Sequence, residues 1–107
     1  MLRVYPQYLA WLAAARPVFA GIERRDIDLC RQLRRAAASV ALNMAEGQGN
    51  EAGTRRQRYL SALGSARETL SCLEVAEALG YVVVPPPVLA ELSQVVGVLV
   101  VLVRGRR

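Results

Sequence analysis

The sequence contains no histidine and no lysine among its 107 residues. Without histidine there is no Ser–His nucleophile pair, no imidazole general base and no His-liganded zinc. Without lysine there is no Schiff base and no Walker-type phosphate lysine. Cysteine is nearly absent too. Cys30 and Cys72 cannot form a structural zinc site by themselves. With no histidine or lysine to lower their pKa, they read as reduced, inert core thiols. Aromatic residues make up 6% of the chain, which argues against a base-stacking platform and leaves Trp11 and the tyrosines as core or interface anchors. These absences remove most catalytic tools, so neither an enzyme nor a bound cofactor or metal is expected.

Long apolar runs are missing as well. Val95–Val103 is an unbroken run of nine residues, against roughly 20 for a membrane span. The N-terminus has the superficial form of a secretory signal, with Arg3, an apolar stretch from Tyr8 to Ala15 and then Val18-Phe19-Ala20. Pro6, Gln7 and Arg16-Pro17 interrupt that pattern. The expectation is a cytoplasmic chain that does not enter a membrane.

What is present is apolar and basic. Apolar residues form 53% of the chain, and 14 arginines stand against nine acids, for a net charge of +5. This profile fits one folded domain over residues 1–107 and not a disordered tail. Arginine as the sole base matches a high-GC codon composition, since alanine, glycine and valine are also abundant. The charge favours an anionic partner whatever its origin.

Helical periodicity dominates. The first helix is predicted to start near Pro6, run through Tyr8, Leu9, Leu12 and Ala13, and kink or end at Pro17. A basic connector with Gly21, Arg24 and Arg25 would follow. The second helix has Asp26 as N-cap and an apolar stripe of Leu29, Leu33, Ala36, Val40 and Met44, and is predicted to stop around Glu46 before the glycine-rich turn Gly47–Gly53. In the third, Thr54 and Gln57 fit a capping box, Tyr59, Leu63, Ala66, Leu70 and Leu73 form a seam, and Gly80 supplies a left-handed cap. Pro85-Pro86-Pro87 precedes a last helix from near Val88 with core positions Leu89, Leu92, Val96, Leu99 and Val103. Val95, Val98, Val100 and Leu102 widen its apolar surface beyond one face. In a small chain that surplus points to a second subunit as the burying partner.

The segment Arg34-Arg35-Ala36-Ala37-Ala38-Ser39-Val40, followed by Asn43-Met44-Ala45-Glu46-Gly47, resembles the second-helix motif of the 23S rRNA-intervening sequence proteins, a family of four-helix bundles. The resemblance continues at Arg58-Tyr59, Ala62-Leu63-Gly64-Ser65, Glu68, Leu73, Ala76 and Leu79-Gly80-Tyr81, covering residues 25 to 81. It implies an up-and-down four-helix bundle that assembles into a ring-like homopentamer. Family members include proteins encoded within insertions in bacterial 23S rRNA genes. A related branch comprises accessory proteins of diversity-generating retroelements, basic barrels that bind a reverse transcriptase and nucleic acid. No catalytic residues come with the resemblance. The chain departs from the family pattern at Ala41, where proline is common, in its valine-rich last helix and in its triple proline.

Two arginine groups are the candidate phosphate contacts. Arg31, Arg34 and Arg35 share one face of the second helix. Arg55, Arg56 and Arg58 occupy the first turn of the third, while Glu68, Glu74 and Glu77 lie in its later half, the reverse of what the helix dipole favours. Either these charges pair locally, Glu46 and Glu51 answering the arginines, or the two groups join in one basic surface. From Glu68 to Glu91 the chain has four acids and no arginine. That segregation also allows basic and acidic faces to pair between subunits. Asn43 and Glu46 read as a buried or interfacial hydrogen-bond network that fixes helix register, with Gly47 permitting the turn. The expectation is a non-enzymatic oligomer binding RNA or DNA through its arginines. The second reading is an adaptor, for example one docking a reverse transcriptase, with no direct nucleic-acid role.

Overall fold

The computed structural model describes residues 3–49 and 51–105. Four helices follow one another, α1 (Val4–Arg25), α2 (Ile27–Gln48), α3 (Ala52–Ala78) and α4 (Pro86–Arg104), and no strand occurs among the described residues. Short connections return each helix alongside its predecessor. Cross-helix bonds show the antiparallel register: Tyr8 donates to the Ala37 carbonyl at 2.7 Å, Ser65 to Ser39 at 2.8 Å, and Arg56 Nε to the Val103 carbonyl at 3.0 Å. Trp11 Nε1 donates to the Val88 carbonyl at 2.9 Å and ties α1 to α4. The result is an up-and-down four-helix bundle with extents of 43 × 23 × 20 Å.

Pro17 does not end the first helix. Proline removes the hydrogen bond that position 17 would give to the Ala13 carbonyl, and the Arg16 side chain supplies a substitute, its Nε donating to that carbonyl at 3.3 Å. Beyond Pro17 the apolar stripe continues through Val18, Phe19 and Ile22, all buried, so packing carries the helix onward. The expected basic connector is therefore helical. Gly21 lies in α1, where an added Cβ would stand 2.8 Å from Val82 Cγ1. The α1 stripe is also rotated: Val4, Tyr8, Trp11 and Ala15 face inward, whereas Leu9 is exposed.

Asp26 alone separates α1 from α2, and its carboxylate accepts from the Leu29 N–H at 2.9 Å, the expected N-cap. Helix α2 continues through Ala41 and past Glu46 to Gln48. The Thr54 capping box is not used. With α3 starting at Ala52, the Glu51 carbonyl already accepts from the Arg55 N–H at 2.7 Å, and Thr54 sits inside the first turn. At the other end Gly80, at φ +76°, closes a Schellman motif in which Tyr81 N–H meets the Ala76 carbonyl at 2.9 Å and Gly80 N–H meets Glu77 at 3.0 Å. The linker folds back over the α1–α2 corner, where Tyr81 donates to the Asp26 carboxylate at 3.2 Å and Glu77 accepts from the Val84 N–H at 3.0 Å.

Leu92, Val95, Leu99 and Val103 form the buried stripe of α4, which starts at Pro86. Val95 is thus a core residue and not part of a surplus surface, because the spacing 92, 95, 99 turns it inward and leaves Val96 only half-buried. Val98 and Val101 do face outward, 39% and 62% exposed, with Val100 and Leu102 half-buried between them and the core. By length and composition α4 would also suffice to cross a membrane, a test that the core helix of a bundle can equally pass.

Cys30 and Cys72 are both buried, and burial pushes each thiol up from its ordinary value. Neither should react with a thiol reagent until the bundle opens. Labelling with Ellman's reagent is expected to be slow in buffer and complete within the dead time in denaturant; rapid native-state labelling would contradict the packing. Gly64 supplies a second check, because an added Cβ meets nothing within 4 Å. Gly64→Ala should therefore stabilise α3 by about 0.5–1 kcal/mol through helix propensity, read as a rise in the urea midpoint.

Candidate nucleic-acid interface

The two arginine groups lie far apart. On α2, Arg31, Arg34 and Arg35 face solvent towards α1. Arg34 is held in a two-pronged pair with Glu23, at 3.0 and 3.2 Å, and Arg31 leans on Asp28 at 3.6 Å. The Arg34 guanidinium holds the Glu23 carboxyl below its usual value. Arg35 is exposed beside them. Local ion pairs thus occupy two of these three side chains, leaving a partly neutralised face.

Arg55, Arg56 and Arg58 sit at the opposite end of α2, where α2 finishes, α3 begins and α4 finishes. Arg58 pairs with Glu46 at 2.9 Å. From Arg34 to Glu46 is twelve residues of helix, or about 18 Å along the axis, so one chain does not merge the groups into a single surface. The unfavourable charge order along α3 is compensated from outside it. Arg56 donates to Val103 in the last turn of α4, where orphan carbonyls make a negative end, and Glu46 answers Arg58 from the end of α2.

Tyr8 of α1 is bonded to Ala37 of α2, and α1 extends four residues beyond Tyr8 while α2 extends eleven beyond Ala37. The helical part of α1 therefore stops about 10 Å short of α2. Between the start of α3 and the end of α4 lies a half-open groove of about 710 Å³. Arg55, Arg56 and Arg104 line it together with Gln48, and Ala52, Tyr59 and Val101–Val103 form its apolar walls. Among the described residues no acidic one lines it. Arg104 and Gln48 have no motif to announce them. The signal available was topological, since antiparallel packing of the last two helices must bring the end of one to the start of the other.

The expected Asn43–Glu46 network takes a different form. Asn43 donates to the Ser39 carbonyl at 2.9 Å and to its hydroxyl at 3.1 Å, and Ser65 donates to that hydroxyl from α3. Asn43 thus belongs to an α2–α3 register lock, whereas Glu46 is exposed and serves Arg58. Gly47 remains helical and buried, with its missing side chain facing Tyr59: an added Cβ would lie 2.5 Å from Cε1 of that ring. Among the described residues no group of three or more metal-ligating side chains comes together.

A family model described as 23S rRNA-intervening sequence protein matches residues 20–93 of the chain, more than two thirds of its length. No curated protein and no solved structure matches it.

Proposed function

We propose a binding role, not a catalytic one, for this chain, which belongs to the 23S rRNA-intervening sequence protein family. It acts in the cytoplasm as an oligomeric bundle that holds RNA or DNA by its phosphates, without sequence preference. The observation that carries this reading is the meeting of Arg55, Arg56 and Arg104 around one groove with no acid among its described lining residues. Guanidinium groups suit the task because each planar fork bonds two phosphate oxygens. Self-association supplies the multiplicity. Val98 and Val101, 39% and 62% exposed, give α4 an apolar outer edge that a second copy buries. Five copies in a ring would carry roughly +25, ample for binding polyanions at low salt.

The test is titration of labelled RNA and DNA with protein freed of nucleic acid, at several salt concentrations. Binding of micromolar strength or tighter that weakens steeply as salt rises is expected. The adaptor reading, in which the partner is a protein such as a reverse transcriptase, draws on the same exposed valines. No nucleic-acid binding at low salt, with partner capture lost on Val98→Asp, would replace the first reading with the second.

A further inference from the structure

We infer that the groove between the first turns of α3 and the last turn of α4 is a nucleotide site, taking one phosphorylated nucleoside unit with its base against the apolar wall. This rests on the phosphate-binding reading above and adds to it a ligand class and a place. Three observations converge. The groove's volume, about 710 Å³, falls within the range of small-molecule sites, roughly 300–1,000 Å³, whereas a patch that merely tracks a backbone needs no recess. Its lining combines two chemistries, the polar Arg55, Arg56, Arg104 and Gln48 with the apolar Tyr59 and Val101–Val103. A ligand that satisfies both carries a concentrated anion and a flat apolar body on one frame. Finally, the groove is built on rigid parts. Arg56 is fixed by its 3.0 Å bond to the Val103 carbonyl, which joins the two walls, and Tyr59 is buried against Gly47, only 4% exposed.

The probe is adenosine 5′-monophosphate, titrated into the intact protein and followed by methyl and aromatic NMR shifts, with inorganic phosphate as the comparison. The expected result is saturable shifts at Tyr59, Val101, Leu102 and Val103, with the nucleotide binding at least about tenfold tighter than phosphate. Ala52→Trp fills the groove from an exposed position and keeps every arginine. It should abolish nucleotide binding while leaving salt-dependent binding of long RNA in place, and Ala52→Phe repeats the test with a smaller ring should the first variant not fold. Competition by a linear 5′-phosphorylated oligonucleotide but not by its circular form would identify a strand terminus as the source. Competition by neither would identify a free nucleotide. Binding no tighter than phosphate, or shifts that persist when the groove is filled, overturns the inference and leaves the phosphate reading standing. Loss of long RNA binding to the wild-type protein removes the phosphate reading itself.

Discussion

Replacing Arg55, Arg56 and Arg104 by glutamine is expected to weaken RNA binding on the order of 100-fold at 50 mM salt, because each guanidinium removed forfeits a phosphate contact and the counterion it releases. The slope of log affinity against log salt should shrink by about 3. The same exchange at Arg31, Arg34 and Arg35 is expected to change affinity less than about tenfold, with the slope nearly kept. The asymmetry follows from the geometry. Arg34 is clasped by Glu23 at 3.0 Å and Arg31 stands 3.6 Å from Asp28, so a phosphate must compete for groups already answered. At the groove, Arg56 is bonded to a carbonyl and not to a carboxylate. Exposed pairs such as Arg31–Asp28 are weak and screened by salt, so the smaller effect should differ from zero. Equal losses in the two triple variants would show that net charge, and not the end of the bundle, governs binding.

The second large effect concerns the fold. Gly47→Val should destabilise the bundle by about 3 kcal/mol, the upper range for overpacking a tight site, lowering the melting temperature by roughly 10–20 °C. The new Cβ would arrive 2.5 Å from Cε1 and 2.9 Å from Cδ1 of Tyr59. Tyr59 can move only toward the groove, which gives up its packing in the core. Helix propensity acts in the opposite sense but is worth less than about 1 kcal/mol near a helix end. The predicted stabilisation by Gly64→Ala supplies the contrast, because nothing stands where its side chain would go. A melting temperature unchanged by Gly47→Val would mean that α2 and α3 are farther apart than the structure places them.

Much of this architecture was legible in the residues. The four stripes at helical spacing, the Asp26 cap and the Gly80 terminator each depend on neighbours within a turn or two, and local chemistry decides them. Pro17 and Thr54 were misleading for a common reason. Their local meanings are sound, but a side chain one residue away restored the bond that Pro17 removes, and a helix start two residues earlier left Thr54 nothing to cap. Val95 looked like surplus apolar surface because α4 is valine-rich on several sides, and only the bundle's packing chooses which side is inside.

The binding site was less legible. Both arginine groups are visible in the sequence as clusters, yet their separation along α2, and the clasp of Arg34 by Glu23 from another helix, arise from the antiparallel register. The groove lies between the start of α3 and the end of α4, a juxtaposition that no motif records. Arg104 joins Arg55 and Arg56 only because α4 returns along α3.

The most direct test of the central claim is to observe the arginine side chains themselves as RNA is added. With 15N-labelled protein at low salt, the Nε–Hε resonances of Arg55, Arg56 and Arg104 should shift together and saturate with the RNA, while that of Arg34 stays near its free position. Shifts confined to Arg31, Arg34 and Arg35, or no arginine shift at all while RNA binds, would contradict a phosphate site at the α3–α4 end.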